Sequence, residues 1–236
     1  MELRTIYEDN DVLVIDKPAG IVVFNENQSA AKSLIDLLME KYPLLKNTGN
    51  MPRYGVVHRL DKDTSGILLV AKNNSALSFL QSQFKERQAE KKYLALVIGS
   101  VENDTSTIKT LIGRSPKDGM KQIVFSPGEP GSQGKREAIT DYKVLERLKG
   151  FTLLEVAPKT GRKHQIRCHL AHIHHPIAGD KMYGFKSQPC PKELARHFLH
   201  ASYLKIQMPN KEIKEFNTGL PKDLEQVINN LKKHDN

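Results

Sequence analysis

Two short apolar runs, Ile6-Tyr7-Glu8 and Val12-Leu13-Val14-Ile15, flank the turn formers Asp9-Asn10-Asp11 and predict a pair of strands, the second ended by Lys17-Pro18-Ala19-Gly20. The period then lengthens. Leu34, Leu37 and Leu38 fall on one helical face, Ser33 and Asp36 have the spacing of a capping box, and Pro43 stops the run. A continuous apolar stretch, Ile67-Leu68-Leu69-Val70-Ala71, predicts a buried strand, followed by a helix capped by Asn74 or Ser75 with Leu77, Leu80 and Phe84 on one side to brace it. Residues 92–98 predict a further strand, ended by Gly99.

From there the apolar pattern weakens until Thr140. The segment Ser126-Pro127-Gly128-Glu129-Pro130-Gly131-Ser132-Gln133-Gly134-Lys135-Arg136 disfavours both helix and central strand through its glycines and prolines. Residues 140–148 and 151–156 flank Lys149-Gly150 as a hairpin, so this stretch reads as a flexible basic loop, about 114–138, inside a single domain spanning 1–236. Thr160 is placed to cap a helix from about Arg162 to Ile173, on which Ile166, Leu170 and Ile173 face the core. A last helix begins near Lys222, with Leu224, Val227, Ile228 and Leu231 as its apolar stripe. The alternation is α+β, and no internal repeat is visible.

Composition narrows the class. Of 236 residues, 39% are hydrophobic, enough for a core, while 36 Lys and Arg against 27 Asp and Glu leave a formal charge of +9, which favours a polyanionic partner. The cations cluster at Arg53, Arg59, Lys62, Lys91, Lys92, Arg162, Lys163 and Arg167. With only two cysteines, Cys168 and Cys190, neither a disulfide framework nor a cysteine metal site is indicated, and reduced cytoplasmic surroundings fit. No stretch approaches the ~18 apolar residues of a membrane span, and the start, Met1-Glu2-Leu3-Arg4-Thr5, lacks the basic-then-apolar pattern of an export signal.

The chemistry concentrates in His58-Arg59-Leu60-Asp61-Lys62-Asp63-Thr64-Ser65-Gly66, where one carboxylate lies among His58, Arg59 and Lys62, which favour its ionised form, and a turn leads into the apolar strand. This stretch resembles the HRLD-x-x-TSG signature of the RluA-type pseudouridine synthases, which isomerise uridine in RNA. Lys17-Pro18-Ala19-Gly20 is similar to that family's first motif, Lys91-Lys92-Tyr93-Leu94-Ala95-Leu96-Val97 to its tyrosine strand, and Gly161-Arg162-Lys163-His164-Gln165-Ile166-Arg167-Cys168-His169-Leu170 to its third motif. Pro176-Ile177-Ala178-Gly179-Asp180 with Tyr183-Gly184, and Phe198-Leu199-His200-Ala201, extend the resemblance from about residue 6 to about residue 220. It implies a pseudouridine synthase fold, with a mixed, largely antiparallel central sheet flanked by helices and a basic active-site cleft.

Conversion of uridine to pseudouridine breaks the C1′–N1 bond, turns the uracil and joins C5 to C1′, so it needs no cofactor and no metal. What it needs is a carboxylate at the sugar, to attack C1′ or to take a ribose proton. The resemblance implies Asp61 for that part. It also implies Arg167 as a guanidinium beside the Asp, Tyr93 as a ring stacked on the target base with a possible share in removing the C5 proton, and Ile166 as an apolar wall on the uracil or the Asp. The substrate, ribosomal or transfer RNA, has its uridine flipped out of the stack, and His58 and Arg59 are substrate-binding candidates, Arg59 as the planar group that props the gap. From the helix pattern alone Arg167 reads equally as a surface cation, Ile166 as a core residue and Tyr93 as a strand tyrosine.

Three other classes fit the pattern less well. Spacings among His164, His169, His172, His174 and His175 allow a metal site, but no carboxylate or thiolate completes a known ligand pattern. A non-catalytic RNA-binding or ribosome-assembly protein is expected to have lost Asp61, Tyr93 or Arg167, and all three are present. A hydrolase pairing Asp61 with Asp63 places two residues of one turn at the ~5–9 Å that such pairs span across a bond, which a turn rarely allows. Two departures from the family pattern stand out: His174 occupies the usual glycine before His175-Pro176, and the chain begins almost at the first motif, with no room for the small N-terminal RNA-binding domain that many relatives carry. Nothing in the pattern implies an obligatory protein partner.

Overall fold

The computed structural model describes residues 3–25 and 31–233, organised as two compact units. The first comprises residues 1–90 and 201–219, the second residues 91–200 and 220–236. The fold is α+β, with a largely antiparallel sheet and, among the described residues, four α-helices.

In the first unit β1 (Arg4–Glu8) pairs antiparallel with β2 (Val12–Lys17), and β2 with β3 (Ser65–Ala71). Every residue of β3 is buried, which is why its sequence is an unbroken apolar run rather than an alternation. α1 (Leu34–Lys41) carries the capping box foreseen at Ser33 and Asp36, and its buried face is Leu34, Ile35 and Leu38, with Ile35 in the place expected of Leu37. α2 (Asn74–Lys85) lays Leu77 and Leu80 on Ile67 and Leu69 of β3, so it braces that strand. Its cap is Asn73, whose side chain accepts from the Ala76 N–H, one residue before the two candidates read from the sequence.

The second unit is a five-stranded antiparallel run in the order β4 (Glu90–Ile98), β8 (Phe151–Pro158), β7 (Arg136–Leu148), β5 (Thr105–Arg114), β6 (Gln122–Phe125). The β7–β8 hairpin across Lys149-Gly150 is as expected. Within the polar middle, residues 122–125 form β6 against the end of β5, a strand too short to show a period. α3 runs Gln165–His172, three residues later than the pattern predicts. Thr160 does not cap it. Its hydroxyl instead accepts from the Ile139 N–H and donates to Gln165 Oε1, and His164 precedes the helix in a left-handed conformation, φ 55°. α4 (Lys222–Lys233) buries Leu224, Val227 and Ile228 in the core of this unit, with Leu231 packed beside it. Residues 201–207 of β9 (Leu199–Gln207) and β10 (Ile213–Asn217), which pair antiparallel, complete the first unit. Among the described residues no helix is long and apolar enough to cross a membrane.

The least expected core residue is a lysine. Lys17, at the end of β2, is fully buried, and its ammonium donates to the carbonyls of Pro18, Ile21 and Lys62 at 2.9, 2.9 and 3.0 Å. Removing the charge takes the ammonium from the Pro18 and Ile21 carbonyls and leaves the Lys62 carbonyl with the Gly20 N–H. Lys17→Met is therefore expected to destabilise the protein by about 3 kcal/mol, read as a lower denaturant midpoint at unchanged slope.

Candidate active site

The Asp61 loop is built from its two buried neighbours. Leu60 and Thr64 are buried while Asp61 between them is half-exposed and Lys62 exposed, so the chain is anchored on either side of a half-exposed residue. The Asp61 carbonyl accepts from the Thr64 N–H at 3.2 Å, closing the turn, and the Lys62 carbonyl is held twice, by the Lys17 ammonium and by the Gly20 N–H at 2.9 Å. That is the use of Lys17-Pro18-Ala19-Gly20: it grips the residue next to Asp61. Gly66 closes the segment because at φ 115° a Cβ would stand 2.2 Å from the Ala201 carbonyl oxygen.

Two neighbours of Asp61 behave differently from one another. His58 lies 4.7 Å from Phe84, ring on ring at 16°, and its Nε2 accepts from the Leu69 N–H at 3.1 Å. An accepting nitrogen carries no proton, so His58 ties the loop to α2 and β3 as a neutral ring rather than adding the charge the sequence assigned to it. Arg59 is exposed, with its guanidinium 5.0 Å from the ring centroid of Phe24, and Arg53 lies at the same distance from that ring. The pair presents two planar cations on one aromatic residue.

Tyr93, Ile166 and Arg167 belong to the second unit. Tyr93 stands opposite Val156 in the β4–β8 ladder and packs, half-buried, on the same apolar cluster that contains Ile166 and Leu170. Lys92, on the other face of β4, pairs with Glu155 at 3.1 Å, whereas Lys91 shares the side of Tyr93 and burial pulls its ammonium down to about 8. Ile166 is thus a core residue, whatever else it does.

Arg167 is not a surface cation. Only 8% exposed, it forms a two-pronged pair with Asp180, Nε to Oδ2 at 2.7 Å and Nη2 to Oδ1 at 2.9 Å. Asp180 also accepts from the N–H groups of Met182 and Tyr183. Burial pushes the Asp180 carboxyl up, but the Arg167 hydrogen bond and charge, with the two N–H groups, outweigh it and leave it below the ordinary carboxylate value. The sequence assigned no role to Asp180, although it lies in a quoted motif; thirteen positions separate it from Arg167, and no helical or strand period links them.

The start of α3 is also held by neutral groups. Gln165 Nε2 donates to the Ile139 carbonyl at 3.0 Å and to Thr140 Oγ1 at 2.9 Å, while its Oε1 accepts from Thr160 Oγ1 and from the Arg162 N–H. Thr140 then donates to His169 Nδ1 at 2.8 Å, which leaves the Nε2 hydrogen for Thr110 at 3.0 Å. His169 is fully buried, and burial, with a smaller contribution from the charge of His172, pulls its pKa down to about 4. His175 contacts the Ile98 carbonyl, and among the described residues no group of three or more His, Cys, Asp and Glu side chains is arranged to hold a metal ion. His174 has φ 65°, the left-handed geometry that a glycine usually supplies at that point.

Acid stability follows from these shifts. Because the folded His169 releases its proton more readily than the unfolded one, stability is expected to fall as pH drops from about 6.5 towards 4. Asp180, depressed in the folded state, contributes stability above its unfolded value that disappears below about pH 4. Asp180→Asn should cost about 3–5 kcal/mol at pH 7 by removing the carboxylate charge paired with a buried guanidinium, and should weaken the lowest part of the acid limb. Denaturant titrations at pH 3.5, 5 and 7 check both.

The sequence model of the family described as RNA pseudouridylate synthase matches residues 11–172. Among curated proteins, an uncharacterized RNA pseudouridine synthase of Aquifex aeolicus is 40% identical over 98% of this chain and 74% of its own length. A second, YlyB of Bacillus subtilis, is 39% identical over 99% and 74%. The ribosomal large subunit pseudouridine synthase D of Nitrosomonas europaea is 39% identical over 97% of this chain and 66% of its own length. Of solved structures, human RNA pseudouridylate synthase domain containing 1 superposes with a TM-score of 0.75 at 29% identity, covering 98% of this chain and 95% of that one. With a family match over most of its length and relatives of this identity, the chain belongs to the RNA pseudouridylate synthases, enzymes that isomerise uridine within RNA.

Proposed function

We propose that Asp61 carries the reaction, acting at the ribose of a uridine in ribosomal or transfer RNA. The observation that supports this most is the treatment of its loop: a buried lysine, a glycine N–H and two buried flanking side chains fix the backbone around one half-exposed aspartate. A turn with no task has no need of such anchoring. Asp61 either attacks C1′, forming an ester bond that breaks when C5 bonds to C1′, or takes a ribose proton that it later returns; on either route the C1′–N1 bond breaks and the uracil turns before C5 bonds to C1′. The C5 proton leaves and N1 gains one, so no atom is added or lost.

Tyr93 is the platform for the base, its ring packed on the apolar cluster at Ile166, and Arg167, fixed by Asp180, is a buried cation that serves the reaction. The exposed Arg59 props the gap left by the flipped nucleotide, with Phe24 and Arg53 as its support. The excess of cations serves the phosphate backbone, and affinity should fall with salt. Resemblance to a synthase named for the large ribosomal subunit favours ribosomal RNA, with transfer RNA the other substrate to test.

Purified protein is expected to release tritium from RNA labelled at uracil C5. Asp61→Asn should abolish release, by at least a thousandfold, with RNA affinity changed less than about threefold. Retained turnover would remove Asp61 from the mechanism. Arg167→Ala should lower the saturating rate more than it weakens RNA binding, whereas equal losses would make Arg167 a phosphate contact.

A further inference from the structure

Tyr183 joins three parts of the second unit. Its hydroxyl accepts from the Gln122 N–H at 2.8 Å and lies 3.0 Å from His164 Nδ1, just ahead of α3. Its ring carries the Arg167 guanidinium 5.1 Å from the centroid and meets the His164 ring edge-on at 5.7 Å. Its N–H donates to Asp180 Oδ1, an oxygen of the carboxylate that grips Arg167. A ring that only filled space would need no hydroxyl here. Burial raises the phenol's pKa above its ordinary value, so the hydrogen stays on it.

Gln122 opens β6, and what precedes it is a closed turn. Arg114 and Gln122 are paired in the β5–β6 ladder, the Ser115 N–H donates to the Lys121 carbonyl at 3.0 Å, and Ser115 Oγ accepts from the N–H groups of Lys117 and Asp118. Lys117 and Arg114 are exposed on this turn and Lys121 is half-exposed. The Cys168 thiol, the residue after Arg167, points at the Gln122 carbonyl at 3.5 Å. Both polar groups of the Gln122 backbone are therefore engaged by residues around Arg167.

We propose that Tyr183 is a positioning residue that couples RNA engagement by the basic 114–122 hairpin to the placement of Arg167. The proposal rests on the reading that Arg167 serves the reaction. Phosphates drawn onto Arg114, Lys117 and Lys121 shift the foot of β6, and the Tyr183 hydroxyl is the hydrogen bond through which that shift reaches the ring under the guanidinium.

Tyr183→Phe keeps the ring and removes only the hydroxyl, and Lys117→Ala with Lys121→Ala removes two hairpin charges. Single-turnover rates at saturating RNA, and RNA affinities, are measured for wild type, each variant and their combination. Tyr183→Phe is expected to lower the saturating rate about tenfold with affinity and melting temperature little changed. The hairpin variant should lose affinity and saturating rate in the wild-type background, yet lose only affinity when Tyr183→Phe is already present. Backbone amide exchange at Gln122 should quicken in Tyr183→Phe. A Tyr183→Phe rate equal to wild type, or rate losses that multiply in the combination, would overturn the coupling. A wild type that makes no pseudouridine would overturn the underlying reading instead, and this proposal with it.

Discussion

The first unit depends on a buried ammonium. Desolvating Lys17 is costly, and three carbonyl oxygens at 2.9–3.0 Å offset the cost only while Pro18, Ile21 and Lys62 keep their places. The charge therefore acts as a constraint. It binds the end of β2 to the residue after Asp61, and the position of that carboxylate becomes a consequence of strand pairing between β2 and β3. The remaining supports point the same way: His58 is clamped between the Phe84 ring and the Leu69 N–H, and Gly66 lets β3 approach Ala201 without a side chain between.

The second unit solves a related problem with two kinds of chemistry. Arg167 is held by charge, in a two-pronged pair with a carboxylate whose spare valences are taken by backbone N–H groups. The rest of its helix is held by neutral groups, the Gln165–Thr140–His169–Thr110 chain. The division is physically sensible. A neutral lock on the Gln165 end of α3 adds no charge of its own, and the Arg167 guanidinium meets both the Asp180 carboxylate and the aromatic face of Tyr183.

Much of this was legible in the chain. The strands β1, β2 and β3, the capping box at Ser33, the β7–β8 hairpin and the stripe of α4 follow from local periodicity, and local periodicity is what a sequence records best. The errors share a cause. Thr160 has the composition of a cap but is taken by Gln165 and Ile139, Asn73 won over Asn74 by one residue, and the short strand β6 is defined by its partner rather than by its own pattern. Lys17, Asp180 and Tyr183 were visible as motif residues without a role, because their roles lie in contacts made across 45, 13 and 61 positions. His58 kept its place near Asp61, and only a structure shows that its nitrogen accepts a hydrogen bond from the Leu69 N–H.

The enzyme class thus rests on family membership, and the structure supplies reasons for the residues the family motifs contain. The most direct measurement is pseudouridine mapping by carbodiimide labelling and primer extension on total RNA from cells with and without this gene, rescued by wild type or by Asp61→Asn. The account predicts at least one uridine whose signal disappears with the gene, returns with wild type and does not return with Asp61→Asn. A site restored by Asp61→Asn would contradict it, and so would an RNA population in which no site depends on the gene.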